Sequence, residues 1–303
     1  MYFFSPNIEF KFFFARMWLK GVRRMEKFGL IGYPLGHSMS AVIHKAGFES
    51  IGVNASYEIL ETSPENLVDR IKSFKREGYT GFNVTIPHKV PLALFVDEVD
   101  RYADITGAIN TVKINPDRTM KGYNTDVLGF TKAIPEDIDL NGKTAAILGT
   151  GGASRAAVMG LSDRGVKEIS IYTRSIPNAM DYMAYMRRMF PKITFTSYQI
   201  DRIRDLSGYE ILVNTTPIGM QGRAADMTPI EKPVLSTLGK NAIVYDIIYN
   251  PKKTILLKNS EELGYKTING IDMLVYQAIS AQEVWFGKTP DFSKMKIALL
   301  ENL

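Results

Sequence analysis

The chain has 303 residues, enough for two domains at roughly 150 residues each. With 45% hydrophobic and 23% charged residues it is too apolar to stay disordered. The absence of cysteine excludes disulfides, thiolate metal sites and cysteine nucleophiles, and with only three histidines a zinc site would have to lean on carboxylates.

The net charge of +5 hints at an acidic partner, but it is unevenly spread. Residues 1–24 carry Lys11, Arg16, Lys20, Arg23 and Arg24 against Glu9 alone, which leaves +1 for the remaining chain. The same stretch holds eight of the 33 aromatic residues. Glu9, Lys11 and Arg16 break any apolar run, so it is neither a secretory signal nor a membrane span. It reads as an extension ahead of a second start at Met25, with a surface-seeking basic and aromatic segment or an extra packed element as alternatives.

From Lys27 onward short apolar runs alternate with helical patterns. Strands are expected at Phe28–Gly32, Ser56–Leu60 and Gly81–Ile86. Helices are expected at Ser40–Ile51, after Ser63-Pro64-Glu65, and at Lys89–Phe95. Ala108–Ile114 and Thr119–Asn124 read as paired strands around Asn115-Pro116-Asp117. A boundary falls near Asp126–Asn141, and a second series follows: strand Thr144–Leu148, helix Ser154–Arg164, strand Glu168–Thr173 and helix Asn178–Met189, whose methionines read as core filler. Strands at Ile193–Thr196, Glu210–Asn214 and Ala242–Ile247 precede a last long helix, Asp272–Phe286. Strands separated by helices imply doubly wound, mostly parallel sheets: an α/β protein of two domains.

The run Gly149-Thr150-Gly151-Gly152-Ala153-Ser154 sits between a strand and a helix, where glycines let the backbone approach a pyrophosphate and the helix amides meet its charge. The lysine and hydroxyl of an NTP-binding loop are missing, which disfavours NTPase chemistry. The next strand ends on Arg174 where an NAD site usually has an acid, so a guanidinium is offered to the 2′-phosphate of NADP. In the first half, Ser38 and Ser40 open a helix, Thr85 and Lys89 follow a strand, and Asn110 and Asp126 lie at further strand ends. Strand C-termini of an open α/β sheet converge on one crevice, so these groups can meet.

Seven segments in order now carry a resemblance: 34–40 (PLGHSMS), 83–89 (NVTIPHK), 108–111 (AINT), 122–126 (GYNTD), 149–156, 246–251 (DIIYNP) and 270–277. Across about 28–286 the chain resembles the shikimate/quinate dehydrogenase family. The resemblance implies an N-terminal substrate domain (25–125 plus 272–303), a Rossmann-like NADP-binding domain (126–271), and an active site in the cleft between them. It implies reversible NADPH-dependent reduction of 3-dehydroshikimate to shikimate, on the route to aromatic amino acids. Lys89 and Asp126 would be the catalytic pair. Ser38, Ser40 and Tyr249 would bind the substrate carboxylate, with Thr85, Asn110 and Gln277 on the ring hydroxyls and carboxylate. Gly149, Thr150, Gly151, Gly152, Ala153, Ser154, Arg174, Thr215 and Gly270 would hold the cofactor, and no metal is needed. Met273, Gln277 and Ala281 form a helical line able to face the cleft. His37, His44 and His88 are needed neither as acid nor as ligand and read as structural or peripheral.

One departure from the family pattern is that Thr173-Arg174-Ser175 is followed by Asn178 where a second arginine often stands. A single-arginine clamp leaves room for some NAD use, and quinate stays open as a substrate. A catalytically silent NADP-binding module is a further alternative, disfavoured by the presence of both Lys89 and Asp126. The near-neutral body gives no footprint for nucleic acid or membrane. A cytoplasmic monomer or homodimer with a small-molecule substrate is the expectation.

Overall fold

The computed structural model describes residues 25–36, 38–222 and 224–303; the basic N-terminal segment and His37, on which expectations were placed, lie outside the described residues. The first half runs β1 (Glu26–Gly32), α1 (Ser40–Ser50), β2 (Ala55–Glu61), α2 (Leu67–Glu77), β3 (Gly81–Val84), β4 (Glu98–Val99), α3 (Arg101–Thr106), β5 (Thr111–Ile114), β6 (Met120–Tyr123) and α4 (Thr125–Ala133). The second half continues β7 (Thr144–Leu148), α5 (Gly152–Asp163), β8 (Glu168–Thr173), α6 (Met180–Met189), β9 (Thr194–Gln199), β10 (Ile211–Asn214), α7 (Lys232–Leu235), β11 (Ile243–Asp246), α8 (Ile255–Glu262), β12 (Lys266–Ile268), α9 (Gly270–Phe286) and α10 (Phe292–Glu301).

These strands form two six-stranded sheets, β2-β1-β3-β5-β6-β4 and β12-β11-β10-β7-β8-β9. In the second, every neighbouring pair is parallel. Its order is the doubly wound 3-2-1-4-5-6, with the topological switch between β7 and β10, where such sheets bind ligands. The first sheet is mixed: β1 pairs parallel with β2 and β3, whereas β5 runs antiparallel to both β3 and β6.

The pattern of burial explains the elements. Strands β7 and β10 are buried along nearly their whole length, as a sheet covered on both faces demands. One cover packs Phe130, Ala157, Leu161, Tyr182 and Met186 against β7 and β8; the other packs Leu206, Leu235, Leu256 and Leu257 on the opposite face. Among the α6 methionines, Met183 and Met186 are core filler as expected, while Met180 is exposed. In the first half, Phe74, Phe82, Leu92 and Val112 build a separate core.

Two helices tie the sheets together. α4 and α9 pack so closely that a Cβ on Gly129 would lie 2.7 Å from the Met273 carbonyl oxygen, so the crossing requires glycine there. Phe130 of α4 stacks on Tyr245 of β11 at 4.7 Å, which carries the contact into the second sheet. Sequence pattern left α4 unread, since it lies in the stretch taken as a boundary; α3, α8, α10 and the short strands β4 and β12 were unread as well.

One expectation is corrected. Lys89–Phe95 is no helix: residues 86–90 form turns, and only Pro91–Leu94 close a 3₁₀ turn. Pro91 opens the turn that does form, the first-turn position proline favours, and the chain leaves the helical region at Phe95. The result suits the site, because it leaves Lys89 on an irregular segment that lines the cleft.

Candidate active site

A cleft of about 270 Å³ opens at the carboxyl ends of β1, β3, β7 and β10, between the two sheets. Ser38, Ser40, Thr85, Lys89, Asn110, Asp126, Tyr249 and Gln277 all line it, together with Ala153, Thr215 and Gly270. Every residue expected to hold substrate or perform chemistry therefore faces one space, brought from segments up to 239 positions apart in the sequence.

Its centre is an ion pair. Lys89 Nζ donates to Asp126 Oδ2, with only 15% of the lysine and 7% of the aspartate side chain exposed. Asp126 sits in the first turn of α4, where the helix dipole favours an anion. Its second oxygen accepts from Asn110 Nδ2 at 2.8 Å, and the same amide donates to Thr125 Oγ1 at 2.9 Å. Asn110 Oδ1 in turn accepts from the Thr125 backbone amide at 2.8 Å, so the Asn110 side chain is fixed at both ends. The backbone of Lys89 is pinned by the Ile109 amide, which donates to its carbonyl at 2.7 Å.

A second polar cluster forms at the start of α1, where Ser38 Oγ donates to Ser40 Oγ at 3.1 Å. The N-cap, Met39, makes no side-chain cap bond, and the Ser40 amide donates to Ser38 Oγ at 3.3 Å, so an anion at this helix start would take over the donors that now pair with one another. Tyr249 faces this cluster; burial pushes its hydroxyl above the usual tyrosine value, and a bond from the Met39 backbone amide partly offsets the shift. Gln277 lies on the α9 wall beside Met273, and its Nε2 donates to the Leu274 carbonyl at 2.8 Å. Ala281, expected on the same line, is instead fully buried against Phe28 and Trp285, so the cleft-facing line ends at Gln277.

Asn83 belongs to the site too, although sequence reasoning passed over it. Its Nδ2 donates to Thr111 Oγ1 at 2.9 Å and its Oδ1 accepts from Tyr57 at 2.7 Å. Strand alternation already put Asn83 on the face of Thr85, a signal that could have found it. The loop residues Thr216, Pro217 and Met220 complete the far wall.

The glycine turn meets the lysine directly: a Cβ on Gly152 would lie 3.0 Å from Lys89 Cδ. Gly149 has φ +107°, a left-handed conformation, and a Cβ there would crowd Thr215 Oγ1 at 2.8 Å. Gly151, the N-cap of α5, has no side-chain cap bond and open space around its Cβ position. Free amides at a helix start beside open space fit a dinucleotide pyrophosphate, and the exposed Arg174 at the end of β8 fits a 2′-phosphate.

Two cofactor expectations need restating. Ser154 is fully buried, its hydroxyl bonded to that of Tyr182 at 2.7 Å, so only its backbone amide can serve a ligand. Thr215 spends its hydroxyl on the Leu148 carbonyl at 2.6 Å and presents backbone and methyl instead.

Neither described histidine lines the cleft. His44 is buried, stacked on Tyr57 at 4.3 Å and bonded to Gln282, and burial lowers its pKa to about 3. His88 is buried with Nε2 2.7 Å from the Thr62 carbonyl. Among the described residues no group of three or more His, Asp or Glu side chains could hold a metal ion, and no helix is long and apolar enough to cross a membrane.

Comparison with known proteins finds relatives that match nearly the whole chain. Residues 30–112 match the family model described as the shikimate dehydrogenase substrate binding domain, and residues 270–300 match the shikimate 5'-dehydrogenase C-terminal domain. The chain is 39% identical over 279 residues to the shikimate dehydrogenase (NADP(+)) of Bacillus cereus strain B4264, covering 91% of this chain and 98% of the relative. It superposes with TM-score 0.83 and 36% identity on a crystal structure of a shikimate dehydrogenase in complex with NADP+, covering 92% and 96% of the two chains. The ligand-free 5-ketofructose reductase of Gluconobacter sp. strain CHM43 follows at TM-score 0.81 and 30% identity, covering 93% and 100%.

Proposed function

The chain belongs to the shikimate dehydrogenase family and is an NADP-dependent oxidoreductase, and from that premise we propose that it interconverts 3-dehydroshikimate and shikimate with Lys89 and Asp126 as the catalytic pair. The observation that carries this reading is the part-buried Lys89–Asp126 pair packed against the glycine turn. A reductase of a different ketone shares the fold, so the substrate assignment rests on side chains rather than on architecture.

NADPH supplies the hydride. The chain must then position the ketone and stabilise the alkoxide as it forms. An ammonium in a part-buried cleft does this well, because its charge acts at reduced dielectric and its proton completes the product hydroxyl. Lys89 is that donor in the reducing direction and the acceptor in the other. Asp126 holds the ammonium in place, while Asn110 fixes the rotamer of Asp126. Ser38, Ser40 and Tyr249, which line the same cleft, receive the carboxylate, and Thr85, Asn110 and Gln277 address the ring hydroxyls and carboxylate. We assign residues 25–125 with 272–303 to substrate binding and 126–271 to NADP binding. On this reading the chain serves aromatic amino acid biosynthesis in the cytoplasm.

The test follows nicotinamide reduction with shikimate or quinate, each paired with NADP or NAD. Turnover with shikimate and NADP is expected to lead. Absence of turnover in all four pairs would leave only a silent NADP-binding module, and quinate with NAD leading would reassign the enzyme.

A further inference from the structure

Of the two buried aspartates among the described residues, Asp126 has Lys89, whereas Asp246 is 0% exposed and belongs to no ion pair. A charge kept out of water without a cation is costly unless donors surround it. Three do. Asp246 Oδ1 accepts from Asn214 Nδ2 at 3.0 Å and from the Ile248 amide at 3.2 Å, and Oδ2 accepts from Thr254 Oγ1 at 2.7 Å.

Each donor belongs to a segment that builds the cleft or anchors it. Asn214 passes the constraint on: its Oδ1 accepts from the Thr216 amide at 3.0 Å and the Thr216 hydroxyl at 2.7 Å. Thr216 Oγ1 then accepts from the Ile218 amide at 3.2 Å, so the loop carrying Thr215, Thr216, Pro217 and Met220 hangs from one carboxylate. The Ile248 amide fixes the segment with Ile247, Ile248 and Tyr249, which lines the same cleft. Thr254 is the N-cap of α8, and its hydroxyl also accepts from the Leu257 amide at 3.3 Å.

We propose that Asp246 is the positioning residue for this wall of the cleft: one buried carboxylate joins the 214–220 loop to the 247–249 segment and sets both against Lys89 and the glycine turn. It touches no ligand itself. The assignment rests on the oxidoreductase reading above, and it adds a role for a residue outside the binding set. Burial lifts the Asp246 pKa to about 6, the mark of a carboxylate held against its own desolvation.

The experiment compares Asp246→Ala, Asp246→Asn and Thr254→Val with wild type by steady-state kinetics and by equilibrium titration of NADP+ without substrate. Asp246→Ala should raise KM for NADP+ and shikimate at least tenfold while kcat falls less. The asparagine variant keeps the shape and the acceptor for Asn214 and Ile248, so it should recover most of the loss. Thr254→Val should weaken NADP+ binding a few-fold. If circular dichroism shows Asp246→Ala unfolded, the other two decide. KM and NADP+ affinity within twofold of wild type in every folded variant overturns the proposal. A wild type that binds NADP+ yet turns over no substrate overturns the function instead, and the NADP+ titration still reads the role of Asp246.

Discussion

Replacing Lys89 by methionine separates the chemical role of the ion pair from its structural one. Methionine keeps the unbranched stem that packs beside Gly152 and deletes the ammonium. The Asp126 side chain, 7% exposed, is then left with Asn110 as its remaining side-chain partner from the pair's surroundings. Breaking a buried pair by removing one partner costs about 3–5 kcal/mol. At roughly 2 °C per kcal/mol for a chain of this size, that lowers Tm by about 6–10 °C. If Lys89 is the proton donor we propose, its loss lowers kcat by about 10²–10⁴-fold. The double variant Lys89→Met/Asp126→Asn removes the stranded charge as well, so stability should return toward wild type while activity stays lost. Thermal unfolding and initial rates of NADP+ reduction are the two readouts. A Lys89→Met enzyme that melts within 1 °C of wild type, or turns over within threefold of it, refutes the reasoning.

Three further outcomes follow from particular contacts. Gly270→Ala places a Cβ 1.9 Å from the Ile247 carbonyl oxygen, backbone against backbone, so the start of α9 and the end of β11 must part by roughly 1 Å at a cost of at least about 3 kcal/mol; an unchanged urea midpoint would contradict this. His44 has a pKa lowered from 6.5 to about 3 by burial, so it destabilises the fold as pH drops from 6.5 toward 3, where the unfolded chain takes up a proton that the folded one refuses. Asp246, raised to about 6, has the opposite sign between 3.8 and 6, and the two largely cancel there in wild type. His44→Phe should therefore close its stability gap to wild type by about 1.4 kcal/mol per pH unit below 6.5, and parallel curves would refute the assignment. Arg174→Ser should raise KM for NADP+ by roughly tenfold, the scale of a charge-assisted hydrogen bond, and leave KM for NAD+ unchanged; equal effects on both would move the 2′-phosphate contact elsewhere.

The residues that line the cleft were largely legible because their neighbourhoods are local. A glycine turn between a strand and a helix, two serines opening a helix, and a lysine after Asn83-Val84-Thr85-Ile86-Pro87-His88 each carry their meaning in a few consecutive positions. Periodicity found ten of the twelve described strands for the same reason, since alternation and burial leave their mark within a strand, and missed only the two- and three-residue β4 and β12. It failed at Lys89–Phe95, where only a single 3₁₀ turn opened by Pro91 forms, and at α4, whose nine residues are short and buried on the face against α9.

What only the tertiary structure decided is how distant groups share one space. No local pattern says that Gly152 abuts Lys89, that Ser154 turns its hydroxyl inward to Tyr182, or that Ala281 leaves the cleft-facing line for the core. Nor does any local pattern single out Asp246 as the anchor of two loops, because its three donors lie two, eight and thirty-two positions away. The sequence determined which chemical groups exist and which elements carry them. Packing determined which of those groups meet, because burial fixes a side chain only through neighbours that the chain brings together after it has folded.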